Sequence, residues 1–158
     1  PSDAITVSAW VKVEDLADSE AMKVVAKSFT SFADPYQSYS LGEGANITAD
    51  EMRFELNVGG TLHESGGFSF LEYEGEWVHL VGTWEDGDTI KLYSDGVLVT
   101  QSVPTYSGTI TYYNTPLIIG SSIVEANTEM SGGIDDVRIY NRQLSPDEIK
   151  QLYRMGGN

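Results

Sequence analysis

The stretch Glu51-Met52-Arg53-Phe54-Glu55-Leu56-Asn57-Val58 decides the fold. Met52, Phe54, Leu56 and Val58 are apolar, and Arg53, Glu55 and Asn57 between them are polar or charged. A period of two is what a strand needs when one face packs on a core, because successive side chains leave opposite faces of the pleat. A helix through the same residues would scatter the apolar set around its circumference. Gly59-Gly60 then turn the chain into a short strand around Thr61 to Ser65.

The same alternation extends upstream. Tyr36 to Glu43 puts Tyr39 and Leu41 on one face and Ser38 and Ser40 on the other, after a turn at Asp34-Pro35. Met22 to Phe29 is apolar enough for a buried strand, and Glu14 to Ala21 is a loop. In Ile5 to Lys12, the residues Ile5, Val7, Ala9 and Val11 alternate with Thr6, Ser8, Trp10 and Lys12, and Trp10 on the polar parity implies cover on both faces. The first half is therefore a meander.

Downstream, Trp77 to Trp84 carries large residues on both parities, as a strand between two layers does. Thr89 to Tyr93 and Val97 to Gln101 flank Ser94-Asp95-Gly96, where Asp-Gly supplies the positive-φ residues of a hairpin turn. Pro104 to Pro116 is a Tyr-, Thr- and Gly-rich loop, and strands follow at Leu117 to Ser121 and Gly133 to Tyr140. Ser145-Pro146-Asp147-Glu148 is a capping box with proline at the first helical position, opening a short helix with Ile149, Leu152 and Tyr153 inward and Gly156-Gly157 at its end. The pattern predicts an all-β fold, a two-sheet antiparallel β-sandwich of jelly-roll type with one short C-terminal helix, built as a single domain over residues 1–158.

Composition agrees. Thr, Val, Ile and the aromatic residues make up about a third of the chain. Nine basic against twenty-four acidic side chains leave a net charge of −15, which argues against nucleic acid and against anionic membrane surfaces, both of which need clustered Lys and Arg. No apolar run spans a bilayer. The absence of cysteine excludes disulfides, thiol nucleophiles and thiolate zinc sites.

Three motifs, in order along nearly the whole chain, carry a family resemblance. Ile5-Thr6-Val7-Ser8-Ala9-Trp10-Val11-Lys12 resembles an early strand of the laminin-G-like, concanavalin A-like jelly-roll superfamily. Glu76-Trp77-Val78-His79-Leu80 followed by Leu92-Tyr93-Ser94-Asp95-Gly96 is similar to its middle signature. Gly133-Ile134-Asp135-Asp136-Val137-Arg138-Ile139-Tyr140-Asn141-Arg142, then Leu144-Ser145 and the helix, is similar to its C-terminal one. The family usually carries a further first strand upstream of the position of Pro1, so the chain is expected to lack it or to be cut from a larger protein. The resemblance implies an extracellular or cell-surface module among other domains of one parent chain. It also implies a structural calcium ion held by Asp135, with Asp136 beside it, and oxygens of the N-terminal strand. The competing reading of these two residues is that they pair with Arg138 and Arg142 or face solvent.

Sugar recognition needs hydrogen-bonding groups together with rings for the apolar face of a pyranose. By parity Tyr36, Ser38 and Ser40 share a sheet face with Arg53, Glu55 and Asn57, with His63 beyond. Tyr106, Tyr112 and Tyr113 lie in the loop expected to border that face. Any outward strand face looks similar, so the alternative is a structural or adhesive module that binds protein or spaces other domains. Catalysis is not expected. The family's glycoside hydrolase relatives set their acids in a Glu-x-Asp-x-x-Glu type of pattern, and Glu51-Met52-Arg53-Phe54-Glu55 lacks that spacing. No Gly-x-Ser-x-Gly elbow occurs. The sequence thus points to a non-catalytic, lectin-like module for a polysaccharide or glycan.

Overall fold

In a computed structural model, residues 3–16, 22–28, 37–43, 50–122 and 128–156 are described. The strands run β1 (Ala4–Val13), β2 (Lys23–Ser28), β3 (Gln37–Glu43), β4 (Glu51–Val58), β5 (Thr61–Glu64), β6 (Phe68–Ser69), β7 (Trp77–Glu85), β8 (Lys91–Ser94), β9 (Val97–Gln101), β10 (Ile118–Ile119) and β11 (Gly132–Tyr140). Helix α1 (Pro146–Gly156) closes the chain. One antiparallel sheet has the order β11-β1-β7-β8-β9; the other has β10-β2-β3-β4-β5, with β6 also on β4. The meander β2-β3-β4-β5 is the one the alternation predicts.

The core lies between the sheets. Ile5, Val7, Ala9, Val11 and Val13 of β1 meet Met52, Phe54, Leu56 and Val58 of β4, with Leu41, Leu80, Trp84 and Leu92 around them. Packing is close enough to dictate composition: a Cβ at Gly82 of β7 would sit 2.2 Å from the Phe54 ring of the opposite sheet. The β8–β9 hairpin turns at Asp95 (φ 51°) and Gly96 (φ 79°), the left-handed pair such a turn demands.

The outer face of the β1-containing sheet is covered as well. Ile149 and Leu152 of α1 pack with Val81, Tyr93, Tyr140 and Leu144, and Tyr153 stacks on Trp10 at 5.7 Å between ring centres. This explains why Thr6, Ser8, His79 and Thr83, polar by parity, are buried. They bond one another: Thr6 Oγ1 lies 2.8 Å from Thr83 Oγ1, and Ser8 Oγ lies 2.9 Å from His79 Nε2. Trp77, expected in the packing, is instead half exposed at the start of β7, its ring against Gly133.

Candidate functional site

The polar side of β3 and β4 forms as parity predicts, since register sets Ser40 opposite Glu55 and Gly42 opposite Arg53. It does not face open solvent. Ser38 and Asn57 are fully buried, and Arg53 and Glu55 nearly so. Glu55 accepts hydrogen bonds from Ser40 Oγ (2.7 Å), from Gln37 Nε2 and from Lys23 Nζ (3.2 Å), and Lys23 also donates to the Glu43 carbonyl (2.6 Å). Burial alone would push the Glu55 pKa up. The Lys23 charge and the three donors outweigh it and hold the carboxyl below its ordinary value. Arg53 forks between Glu51 (2.6 Å) and Glu64 (2.5 Å). The hydrogen-bonding capacity expected for a sugar is largely spent within the sheet. Two atoms keep theirs: Asn57 Oδ1 and Arg53 Nε are buried without a partner.

The other expected members separate. Tyr36 lies outside the described residues. Tyr113 does join the face, its amide donating to Ser38 Oγ (3.0 Å) and its hydroxyl 3.4 Å from Asn57 Nδ2. His63 does not. The two-residue turn sets Val58 opposite Thr61 and therefore Leu56 opposite His63, on the core-side parity, where the imidazole stacks on Tyr106 at 3.9 Å. Tyr112, next to Tyr113, meets the Tyr39 ring edge-on at 6.3 Å.

Asp135 and Asp136 sit at a β-bulge of β11, where Ser8 pairs Arg138 and Trp10 pairs Asp135, leaving two residues opposite Ala9. Asp136 takes φ 49°, and Arg138 clasps its carboxylate through Nε (2.8 Å) and Nη2 (2.7 Å). Asp135 Oδ1 accepts the Asp136 amide at 2.7 Å. Arg142 is held by Glu148 instead. Calcium needs six to eight oxygens, and among the described residues no group of three or more Asp, Glu, His or Cys converges to hold a metal ion.

An open site does exist at one end of the sandwich. β1 runs antiparallel to both β7 and β11, so its start meets their ends. There Ile5, Ile139, Tyr39, Tyr112, Tyr140 and Asn141 line a cleft of about 190 Å³ between the sheets. Beside it, Asp3, Ala4, Glu85, Asp86 and the same Asn141 line a hollow of about 430 Å³. Burial, with Tyr112 adjacent, pushes the Tyr39 pKa up to about 12; burial and the Asp3 charge push Tyr112 up. Both phenols therefore stay protonated at any ordinary pH and can donate. Of this set the sequence pointed only to Tyr112.

The fold is an antiparallel two-sheet β-sandwich. The chain belongs to the laminin-G family described as the concanavalin A-like lectin/glucanases superfamily, whose model matches residues 1–150. It is similar to human adhesion G-protein coupled receptor D1, at 34% identity over 79 residues, which are 49% of this chain and 9% of the receptor. Among solved structures it is similar to the binding domain of Paraclostridial Mosquitocidal Protein 1 (TM-score 0.68, 18% identity, 98% of this chain and 38% of that one). The receptor binding domain of botulinum neurotoxin D is also similar (TM-score 0.62, 16% identity, 97% and 37%). At these identities the solved structures share the fold. The chain spans little more than a third of each.

Proposed function

We propose that this chain is a non-catalytic carbohydrate-binding module of an extracellular multidomain protein. The observation that carries this reading is the end cleft, lined by Tyr39, Tyr112, Tyr140 and Asn141, where the exposed Tyr112 ring meets the Tyr39 ring edge-on. Rings match the apolar face of a pyranose, while phenol hydroxyls and an amide match its hydroxyls. The similar proteins support a binding role: one is the binding domain of a mosquitocidal protein, one the receptor binding domain of a botulinum neurotoxin, and one an adhesion receptor. Among the described residues, the Glu55, Asp88 and Glu148 carboxyls are each held below their ordinary values by hydrogen bonds and neighbouring charge, the opposite of what a glycosidase acid needs.

A glycan array is the test. Binding that Tyr112→Ala reduces by about tenfold or more, roughly the loss of one ring contact, is expected. Silence across plant, algal and animal glycans would favour the adhesive alternative, in which the same cleft docks a protein, as the match to an adhesion receptor suggests.

A further inference from the structure

We infer that the last turns of α1 form a lid on the outer face of the β1-containing sheet, closed at neutral pH and released when His79 beneath it takes up a proton. The helix is fastened at its start. Thr6 Oγ1 donates to the Arg142 carbonyl (2.8 Å), the Leu144 amide donates to Thr6 Oγ1 (3.0 Å), and Gln143 Nε2 donates to Asp88 Oδ2 (3.0 Å). Leu144 and Ile149 are buried, whereas none of residues 150–156 is. Those last turns rest on polar atoms that lack partners. A Cβ on Gly156 would meet Trp10 Nε1 at 2.0 Å, so the helix end lies directly on the indole nitrogen. Tyr153 stacks over Trp10 and, at 6.3 Å between ring centres, over His79. Trp10 Nε1 and His79 Nδ1 are both buried and unbonded, and water reaches them once the turn lifts. An element that covers unsatisfied groups with few buried side chains opens ahead of the sheet.

A proton on His79 tips this balance further. An imidazolium donates from both nitrogens, and only Nε2 has an acceptor, Ser8 Oγ at 2.9 Å. No element packed around the ring brings a free acid to it. From β11, Asp136 attracts the proton and Arg138 repels it, and these two neutralise each other in their own ion pair at 2.7 Å. At the β8–β9 turn, Asp95 Oδ1 is engaged by the His79 main-chain amide at 2.9 Å. Lys12, two residues along β1 from Trp10, pairs with Glu14, and α1 contributes Tyr153 and Lys150, the latter against Gly96. Burial therefore dominates, and it holds the imidazole neutral down to about pH 4 while the helix is in place.

Native-state hydrogen exchange at about pH 7 and about pH 5, corrected for intrinsic rates, reads the lid. With the imidazole at about 4 when covered and 6.5 when released, linkage raises the open population by about twentyfold between those conditions. The amides of residues 152–156 are expected to lose about that much protection. Their protection should also be lower than that of β1 and β7 and nearly indifferent to low urea, because lifting the lid exposes little surface. His79→Gln should remove the pH dependence, and His63→Gln should leave it in place. Helix amides that share the protection and urea dependence of the strands would overturn the inference, since α1 would then open only with the whole fold. Protection unchanged by pH would overturn it as well. Protection that rises in acid would do the same, and would show the Trp10 and Tyr153 rings holding the imidazolium instead. Should His79→Gln fail to fold, the ring protons of His79 in the wild type decide. Titration near 6.5 with the helix still protected overturns the inference, and protonation that tracks the loss of helix protection supports it.

Discussion

Lys23 and Glu55 show how a residue-level rule can hold and still mislead. Parity places Glu55 on the polar side of β4, and the side chain is there. Yet it is 7% exposed and locked to an ammonium thirty-two positions earlier in the chain. Nothing local reports such cover, because it depends on which distant segment arrives. His79 follows the same logic. It is 2% exposed beneath α1, with Ser8 Oγ at Nε2 and no partner at Nδ1, and burial pulls its pKa down to about 4. The unfolded chain therefore binds a proton that the fold refuses, from the ordinary histidine value near 6.5 down to about 4. Stability is full above this window and falls as pH drops through it, by at most about 1.4 kcal/mol per pH unit for this one group. His63, also lowered by burial, acts in the same direction. Urea midpoints at about pH 7 and about pH 5 should therefore differ, and His79→Gln should flatten the difference. An unchanged pH slope in that variant would show that His79 is not the group responsible.

Elements were legible where the signal is local. The capping box of α1 forms in full: Glu148 N donates to Ser145 Oγ at 3.3 Å, and Ser145 N donates to Glu148 Oε2 at 2.9 Å. Arg142, then the Ser145 amide, hold the Glu148 carboxyl down at about 2, so the box stays charged in mild acid. Ser145→Ala is expected to cost about 0.5–2 kcal/mol, read as a lowered chemical-denaturation midpoint. No shift would mean that the helix contributes nothing to global stability, against the burial of Ile149. Register, by contrast, was available and uncounted. Pairing outward from Gly59-Gly60 puts His63 across from Leu56, so a two-residue turn alone assigns it to the core side. The end cleft had no such local signal. Tyr39 and Tyr112 come from distant segments, and only sheet order, with β1 beside β11, brings Ile5 and Ile139 to the same cleft.

At the scale of the whole molecule, the net charge of −15 sets the background against which any ion effect must be read. Self-repulsion of this size disfavours the compact state, and salt screens it with a Debye length of about 10 Å at 0.1 M. Sodium chloride should thus raise the melting temperature, and calcium at the same ionic strength should do so comparably. A calcium ion bound specifically to the fold would add stabilisation of RT ln(1 + [Ca]/Kd), about 2.7 kcal/mol at a hundredfold excess over Kd. The bulge offers poor ground for it. The Asp136 carboxylate is already neutralised by a two-bond clasp from Arg138, and Asp135 Oδ1 is occupied by a backbone amide. Wild type and Asp135→Ala are therefore expected to gain equally from calcium, and a chelator at constant ionic strength is expected to move neither. If calcium lifts the wild type well beyond matched sodium and Asp135→Ala erases that excess, Asp135 is a ligand. The remaining oxygens would then include backbone carbonyls or side chains beyond the two Asp of the bulge, and the Arg138 clasp would have to tolerate the ion beside it.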